Sequence, residues 1–512
     1  MRRCRPLARV AQSAALMLLA TARAASGQVI AIRTVPLAQG DQFQIFPSAN
    51  VGMGGVSIAL ADSVRDPFVN PATAGRVNGT RFFSAPTVYG ISDGAGGGRT
   101  LPFATLTRAG AWFAGFALAA QQVDASRAPN TGVIAVPVNG VVAVGPPAAP
   151  PAPRQDSYGN QYALALLGRK LSGTGLALGA SVSWARLTGV DGVDLLFPGN
   201  AGLTQFGHAL DLRLGLLKEW PSDASLEVLA LYDRLGMTDD AQYLDPFWDP
   251  ATQSFALRPR TDQNRDQTNT WGLQLGYMRP LGQEGWHVGW LLTANAASYP
   301  KLPAYQLPSV PALPWDPGRS SAYNLGIGFA KTRGPTTVGV DLIYEPIWSY
   351  TWADATSSVV TALGDTIPTG GKTLENHFRF SNSLVRLGLR REIALESLGR
   401  VAELQLGLVV HTVHYRLAQF DAVQARAQSL TEGWVEWTPT WGLGLRFPDV
   451  EIRYRGYVTT GTGRPGVQGG VFAAGRDMAL AGGGILVAPS GPVTLQDVST
   501  TTHQISVSVP LR

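Results

Sequence analysis

The side chains best suited to catalysis or metal binding are few in this sequence and poorly placed. The only cysteine, Cys4, lies in the N-terminal leader, so the rest of the chain has no thiol nucleophile and no thiolate metal ligand. His411 and His414 are three residues apart, which on a strand directs them to opposite faces and excludes a shared metal ion.

Other chemically suggestive motifs are incomplete. The segment 461–466 fits G-x-G-x-x-G, but the residues after it predict neither a helix nor a βαβ unit. The segment 370–373 is similar to a phosphate-binding loop, but Thr366 stands where the first glycine must be. The aspartates between residues 239 and 249 could bind a cation, although carboxylates in a long loop are more often solvated. The sequence therefore predicts no enzyme activity, no cofactor and no metal site.

Composition and charge exclude further classes. The 512 residues are 45% hydrophobic but only 15% charged, against roughly 25% charged in soluble domains. The formal net charge is +5, but residues 1–27 contain five arginines and no acidic residue, so the remaining chain is close to neutral. A basic nucleic-acid-binding protein is excluded on these grounds, and we expect no nucleic-acid partner.

The leader has the three parts of a secretory signal peptide. Four arginines lie within the first nine residues, an apolar run covers Val10 to Ala20, and Ala22-Arg23-Ala24 is a small-residue cleavage site. A second cleavage option comes after Gly27. The apolar run is too short to span a bilayer, so we predict that residues 1–27 are a cleaved signal peptide and that the protein is exported to the outer membrane.

Beyond the leader, apolar and polar residues alternate with period two. In residues 210–216 every even position is leucine, whereas Asp211, Arg213 and Gly215 occupy the odd positions. The same alternation occurs in residues 271–277, 385–390, 441–447 and 504–509. Because successive side chains of a strand point to opposite faces, each segment has one apolar face and one polar or glycine face.

The connections between these segments fall into two classes, short turns and long loops. Short turns occur at 172–174, 221–223, 282–285, 333–335 and 448–449, and long loops at about 124–156, 189–205, 237–266, 299–318, 351–375, 417–430 and 462–501. Alternation of tight turns with long loops is typical of outer-membrane barrels. We predict an all-β, transmembrane, antiparallel up-and-down β-barrel over residues 81–512 with about 16 strands. Fourteen is the alternative, because Pro86 and Pro102 interrupt the first two strands.

Residues 28–80 do not alternate and form a separate segment. It contains Gly52-Met53-Gly54-Gly55, then Ala61-Asp62, then Asn70-Pro71-Ala72. This pattern resembles the N-terminal region of the FadL/TodX (OMPP1) and PorV-like outer-membrane barrels. The resemblance implies a hatch inside the lumen, with the motif residues Gly52, Gly54, Gly55, Asp62, Asn70, Pro71 and Ala72. A simpler interpretation is that the glycines permit close packing against the barrel wall, and both interpretations can hold together.

Three functions remain open at this stage. The resemblance implies passive transport of hydrophobic small molecules, or a PorV-like, non-catalytic secretion shuttle or assembly factor, and a wide barrel also suits a general porin. The expected partners are outer-membrane lipid and the barrel-insertion machinery, together with either a hydrophobic small molecule or an exported protein. The predicted lumen-facing residues carry mixed charge and do not separate the three functions: Asp211, Arg213, Gln274, Arg386, Arg390, Glu403 and Gln405.

One predicted loop favours the first two functions. Residues 133–138 and 141–144 are apolar runs within the loop at 128–153. Exposed apolar patches are often binding sites, so this loop could capture a hydrophobic ligand or a partner protein. Alternatively, it packs over the mouth of the barrel.

Overall fold

The computed structural model describes most of the chain after the leader. The described residues are 29–40, 42, 45–46, 48–124, 135–138, 141–144, 157–193, 202–251, 254–282, 284–300, 317–355, 357–395, 400–465 and 495–511. None of the helices among them is long and apolar enough to cross a membrane.

One large antiparallel sheet contains most of these residues. Its first strand, β1, consists of Thr80–Ser84 and Thr87–Ile91, which are separated by Ala85 and Pro86. The strands that come after it are β2 Gly97–Ala109, β3 Trp112–Asp124, β4 Ser157–Leu171, β5 Leu176–Leu187, β6 Gly202–Glu219, β7 Ser225–Asp249, β8 Ser254–Leu281, β9 Trp286–Tyr299, β10 Gly318–Arg333, β11 Thr336–Asp354, β12 Lys372–Leu395, β13 Arg400–Asp421, β14 Arg426–Arg446, β15 Glu451–Pro465 and β16 Leu495–Leu511.

Each strand pairs with the next along the chain, and the first pairs with the last. Phe82 lies opposite Val509, and Thr87 lies opposite Gln504, so both segments of β1 close the sheet against β16. Since both segments also pair with β2, they count as one strand. The prediction of a closed barrel with 16 strands is confirmed, and the alternative of 14 is wrong. Pro86 interrupts β1 without removing it, because its carbonyl still accepts from the N–H of Ile505 at 3.0 Å.

The two ends of the barrel differ in their connections. At one end, called here the turn end, short connections such as 172–175, 220–224 and 334–335 join the strands. The other end is called the loop end. In outer-membrane barrels the short turns face the periplasm, so we expect the turn end on that side.

Two predicted loops are wrong, because they are mostly strand. Strands β7 and β8 stay paired from Ser225–Met278 to Asp249–Ser254, which covers nearly all of the predicted loop at 237–266. The predicted loop at 417–430 contains the end of β13, a tight turn and the start of β14. These extensions are more polar than the membrane-facing parts, so the alternation that identified strands elsewhere is missing from them.

The predicted loop at 128–153 falls largely outside the described residues. Within it, Ala135–Val138 and Val141–Val144 pair as a short antiparallel hairpin. A second small hairpin, Val359–Val360 with Thr366–Ile367, lies in the connection between β11 and β12.

The two faces of the sheet have opposite character. Leu212, Leu214 and Leu273 are 41%, 67% and 49% exposed on the outside. Exposed leucines at period two are expected on a surface that faces lipid. Aromatic side chains lie on the same outer face toward the strand ends, where Tyr277 and Trp290 stack with ring centroids 5.8 Å apart. Toward the turn end, the inner face carries both an apolar cluster and polar side chains, and the N-terminal segment covers them.

Candidate functional site

The described residues between 29 and 76 run inside the barrel before β1 begins. The part called here the hatch, residues 48–76, lies toward the turn end. It contains a 3-10 turn Val51–Met53, a single helical turn Asp66–Val69 and a 3-10 helix Pro71–Arg76. Residues 29–40, called here the leading segment, lie toward the loop end. Both parts contact the wall through specific side chains and through backbone.

The hatch backbone lies directly on glycines of the wall. Gly339, Gly388 and Gly407 are cross-strand neighbours on β11, β12 and β13. A Cβ at Gly388 would lie 2.4 Å from Met53 O, and a Cβ at Gly407 would lie 2.2 Å from Gly54 N. Any side chain at these two wall positions would therefore force the hatch away.

A second pair of wall glycines supports the turn at residues 70–72. Gly179 on β5 and Gly215 on β6 are cross-strand partners. A Cβ at Gly179 would lie 2.6 Å from the Pro71 carbonyl carbon, and a Cβ at Gly215 would lie 2.0 Å from Asn70 Oδ1. The hatch is thus seated on glycines at two separate places in the wall.

Glycine is required at the positions of the hatch motif for different physical reasons. Gly54 and Gly55 both have a φ of +70°, a conformation in which side chains are strained. Gly52 and Gly54 also touch the wall, since a Cβ at Gly52 would lie 2.5 Å from Gln405 Oε1 and one at Gly54 would lie 2.8 Å from Leu387 O. Gly55 has open space around it, so only its φ requires glycine.

Asp62 organises the loop that carries these glycines. It is 3% exposed, and its carboxylate accepts hydrogen bonds from the backbone N–H groups of residues 49, 50, 64 and 65 at 2.8–3.2 Å. The Ser48 hydroxyl donates to the same carboxylate. A buried carboxylate is stable in such a site because several donors replace the water it has lost.

Asn70, Pro71 and Ala72 begin the last helix of the hatch. Asn70 Oδ1 accepts from Ala72 N at 3.2 Å, and Pro71 occupies the first helical position, where no N–H is needed. Asn70 Nδ2 also donates to Glu227 Oε2 on β7 at 3.2 Å. The predicted turn therefore serves both as a helix cap and as a contact with the wall.

The hatch presents a different chemistry to each side of the barrel. Toward β1–β5 its contacts are mainly apolar: Phe68 meets Phe83 of β1 edge-on at 6.4 Å and stacks on Phe46 of the N-terminal segment at 4.2 Å. Buried wall residues of this cluster are Leu106, Phe113, Leu164, Leu166, Ala177 and Leu217. Toward β11–β14 the contacts are polar.

Several of the predicted lumen-facing residues reach the hatch. Arg213 donates to Val69 O at 2.9 Å while a bidentate pair with Asp211 holds its guanidinium. Gln405 donates to Ala49 O at 2.8 Å and to Glu403 Oε1 at 2.5 Å. The predicted residues thus include both direct contacts and the side chains that orient them.

The remaining predicted lumen residues lie further from the hatch motif or contact it less closely. Arg386 lies 3.5 Å from Gly55 O and 3.7 Å from the Asp341 carboxylate. Arg390 donates to Thr337 Oγ1 at 3.3 Å. Gln274 accepts from the Thr293 hydroxyl at 3.1 Å.

Sequence reasoning missed two wall residues that hold the glycine-rich turn. The Asp341 carboxylate accepts from Ser57 N at 2.8 Å. Thr440 accepts from Gly54 N at 2.9 Å and donates to Gly52 O at 3.0 Å. Both positions fit the period-two pattern, which identifies them as inward-facing, but no local signal says which inward residues meet the hatch.

Charged groups surround the last helical turns of the hatch. Arg76 pairs with Glu219 at 2.9 Å and with Glu227 at 3.4 Å. Desolvation inside the lumen, together with the nearby carboxylates of Asp62 and Glu227, raises the pKa of the Asp66 carboxyl well above its ordinary range. Arg76 and a hydrogen bond from Asp62 N to Asp66 Oδ2 at 2.8 Å oppose this rise.

A buried ion pair anchors the leading segment. Both terminal nitrogens of Arg33 donate to Glu436 on β14, each at 2.8 Å, and Arg33 Nη2 lies 3.0 Å from His411 Nδ1. His411 Nε2 lies 3.3 Å from Glu345 Oε2. Bidentate pairing of this kind gives strong geometric specificity, so it sets the position of the leading segment in the lumen.

Apolar contacts flank this ion pair at the loop end. Ile30 and Ile32 of the leading segment pack among inward-facing residues that include Ile347, Phe378, Phe380, Val413, Tyr415 and Leu417. Tyr415 also donates to Thr34 O at 2.8 Å. A second apolar cluster around Leu37 and Ile45 includes Tyr162, Leu187, Leu203, Leu235 and Met237. Two apolar patches therefore lie on the lumen wall at the loop end.

Two other candidate motifs lie on strands of the barrel. His411 faces the lumen and His414 is exposed on the outside, as strand alternation predicts. The G-x-G-x-x-G match begins on β15, with no helix in the described residues that come after it. Within the described residues, no group of three or more His, Cys, Asp or Glu side chains is placed to hold a metal ion.

Asp239 also differs from the expectation of a solvated loop carboxylate. It is fully buried on the inner face of β7 and accepts from Gln205 Nε2 at 2.7 Å. The reason is that residues 237–266 are mostly paired strand, so alternate side chains point into the lumen.

Comparison with known proteins finds likenesses of architecture alone. No family model matches the chain, and no curated protein matches its sequence. A Pseudomonas aeruginosa FadL homologue is 10% identical, with a TM-score of 0.45 over 91% of this chain and 99% of that chain. The Pseudomonas putida toluene transporter TodX is 13% identical, with a TM-score of 0.38 over 90% and 97%. The ferric enterobactin receptor PfeA of Pseudomonas aeruginosa is 8% identical, with a TM-score of 0.33 over 84% and 80%. With TM-scores below 0.5, these likenesses carry no argument about function.

Proposed function

We propose that this chain is an outer-membrane transporter that passes hydrophobic small molecules through a barrel whose lumen is closed at rest. The observation that carries the proposal is the apolar, inward-facing wall at the loop end, where Phe378, Phe380, Val413 and Tyr415 line the lumen. Porins have polar, water-filled interiors. An apolar inner wall is instead suited to a hydrophobic ligand, which is transferred out of water when it contacts this wall.

The leading segment occupies this wall in the resting state. Ile30 and Ile32 cover it with the same kind of surface that a hydrophobic ligand would offer. A ligand that displaces these two side chains exchanges one apolar contact for another, so little burial is lost. Release of the Arg33–Glu436 pair is then the costly step, because it leaves the buried Glu436 carboxylate without the charge of Arg33.

The hatch closes the turn-end half of the same path. Its backbone rests on Gly388 and Gly407, and its loop is held by Asp62, Asp341 and Thr440. We infer that transport requires the hatch to leave at least one of its two glycine seats. The polar side of the hatch, toward β11–β14, is the side where water can replace the contacts that are lost.

Uptake of an apolar fluorescent probe into proteoliposomes tests the proposal. Phe378→Ser places a hydroxyl in the apolar wall and is expected to reduce probe uptake severalfold. Phe420→Ser is the matched control, because Phe420 is 47% exposed on the outside of β13 near the same end. A small sugar should be excluded by all three proteins.

Three results would contradict transport of hydrophobic molecules. They are sugar entry at the rate of the apolar probe, equal effects of the two substitutions, and co-purification of an exported protein without any probe uptake. The first supports a porin, and the last supports a secretion shuttle.

A further inference from the structure

Two arginines lie side by side on the outer surface near the loop end. Arg379 on β12 and Arg416 on β13 are direct cross-strand partners, and both are exposed. Within the described part of the chain, neither guanidinium takes part in a hydrogen bond or an ion pair. Side chains directly opposite each other on paired strands have Cβ atoms about 5 Å apart, and like charges there are destabilising. An anion that binds both guanidinium groups would relieve this repulsion.

An apolar groove opens beside the arginines. It has a volume of about 590 Å³ and is lined by Ser321, Tyr323, Leu325, Pro346 and Trp348. Trp348 is the cross-strand partner of Arg379 on the side away from Arg416, so the groove adjoins the charged pair.

A break in the sheet explains the groove. The ladder between β10 and β11 is interrupted between the pairs Ala322–Ile347 and Leu325–Tyr344. Pro346 lies in this interval and has no N–H to donate. The outer wall therefore has a recess at this place.

Aromatic side chains place this surface at the level of lipid headgroups. Tyr323 and Trp348 meet edge-on at 5.8 Å, and Tyr350 stacks on His377 at 4.6 Å. Aromatic belts of this kind mark the boundary between hydrocarbon and water. The nearby Glu375 is paired with Lys372 at 3.0 Å, so it does not neutralise the arginines.

We propose that Arg379 and Arg416 together bind a phosphate group of lipid A, an anionic lipid of the outer leaflet. One acyl chain of the lipid then lies in the adjoining groove. Guanidinium groups bind phosphate oxygens through short, charge-assisted hydrogen bonds. The groove adds an apolar contact at the depth where the acyl chain begins. This site lies on the outside of the barrel and does not depend on what the lumen transports.

Native mass spectrometry of the full chain in detergent tests the proposal, with lipid A as the probe and zwitterionic phosphatidylethanolamine as the comparison lipid. The double variant Arg379→Gln/Arg416→Gln is expected to bind lipid A roughly tenfold more weakly, or worse. Arg234→Gln is the matched control, since Arg234 is an exposed, outward-facing arginine on β7 whose cross-strand partners are Leu210 and Asn269. It should bind lipid A as tightly as the unmodified protein.

Two further measurements distinguish the contribution of the arginine charges from that of the groove. They also keep the test valid if the double variant folds poorly. Arg379→Gln alone should leave thermal stability unchanged or raise it without lipid, because it relieves repulsion, but should reduce the stabilisation that lipid A provides. Ser321→Trp fills the groove and should weaken lipid A binding while both arginines remain.

Other outcomes would overturn the proposal. Equal lipid A binding by the double variant and the Arg234→Gln control would show that the paired arginines have no role. Inorganic phosphate that displaces lipid A completely at millimolar concentration would show a simple anion site without an acyl-chain contact. Phosphatidylethanolamine that binds as tightly as lipid A would show that charge is not recognised.

Discussion

Single glycines in the wall decide where the hatch backbone can lie. Met53 O and Gly54 N approach Gly388 and Gly407 so closely that no Cβ fits between them. The same reasoning applies at Gly179 and Gly215 under the turn at residues 70–72. At the residue scale, the close fit of the hatch to the wall therefore depends on the absence of side chains at these four positions.

The first prediction concerns Gly407. Gly407→Val should displace the hatch and raise the single-channel conductance, because its Cβ would lie 2.2 Å from Gly54 N. Gly276→Val is the matched control on the inner face of β8, where a Cβ would meet only Glu227 Cβ at 3.8 Å. Equal conductance of the two variants in planar bilayers would mean that the hatch does not rest on Gly407.

The second prediction concerns the pH dependence of the hatch. The pKa of Asp66 is raised in the folded hatch by desolvation and by the carboxylates of Asp62 and Glu227, against the opposing charge of Arg76. The hatch is therefore most stable below the unfolded-state pKa of Asp66, and it loses stability as the pH rises toward the raised pKa.

Asp66→Asn cannot ionise and should remove this loss. Deuterium exchange of residues 48–76 is measured from acidic to neutral pH and corrected for the pH dependence of intrinsic amide exchange; the protection of the hatch should fall in the unmodified protein and change less in the variant. A variant hatch that opens just as much toward neutral pH would show that another group titrates.

At the scale of elements, alternation along each strand separates the lipid face from the lumen. Leu212 is 41% exposed on the outside of β6, and its neighbour Arg213 donates to Val69 O inside. The same strand therefore supports the membrane contact and the hatch contact through adjacent residues.

The third prediction uses this pair of neighbours. Leu212→Arg should destabilise the barrel by about 2–4 kcal/mol if the site lies near the bilayer midplane. Arg213→Leu should cost less barrel stability than Leu212→Arg, because it leaves the lipid face intact, and it should loosen the hatch. Urea unfolding in lipid vesicles measures the first effect, and deuterium exchange of residues 66–70 measures the second. Similar unfolding midpoints for both variants would contradict the assignment of faces.

The leading segment depends on one buried pair between distant elements. Arg33 donates twice to Glu436, a residue that lies 403 positions further along the chain. Removing only one member of a buried ion pair leaves an uncompensated charge and typically costs about 3–5 kcal/mol.

The fourth prediction is that Glu436→Gln should release the leading segment, whereas Arg33→Met/Glu436→Gln should restore much of its protection. Deuterium exchange of residues 29–38 is the measurement. Lys331→Met with Glu284→Gln is a suitable control, because this pair is more exposed, with Glu284 81% exposed at the turn end. A double variant as open as Glu436→Gln alone would show that the pair is not coupled.

At the scale of the whole molecule, the barrel and its contents are separable. Strand β1 begins at Thr80, and closure against β16 uses no residue of the hatch. The hatch adds internal contacts, but every strand also has two strand neighbours.

The fifth prediction is that deleting residues 48–76 should raise single-channel conductance without unfolding the barrel. Deletion of residues 359–367, the small hairpin between β11 and β12, is the control and should leave conductance low. Heat-modifiable electrophoretic migration should be retained by both variants. High conductance of the intact chain would contradict a closed resting lumen.

Much of the fold could be predicted from sequence, because the signals are local. Alternation of Leu210, Leu212, Leu214 and Leu216 with polar residues requires only that successive strand side chains face opposite ways. The short turns and the number of strands come from the same local patterns. Prediction failed at residues 237–266, where the strands extend with more polar side chains and the alternation disappears.

Only part of the candidate site could be predicted from the sequence. The hatch motif and inward positions such as Arg213 and Gln405 could be named, because glycine, asparagine–proline and strand alternation have local meanings. Only the tertiary structure decided that Gly407 lies under Gly54, that Thr440 holds the same turn, and that Arg33 reaches Glu436. These contacts join residues hundreds of positions apart, and their geometry is set by barrel closure and by the path of the N-terminal segment through the lumen.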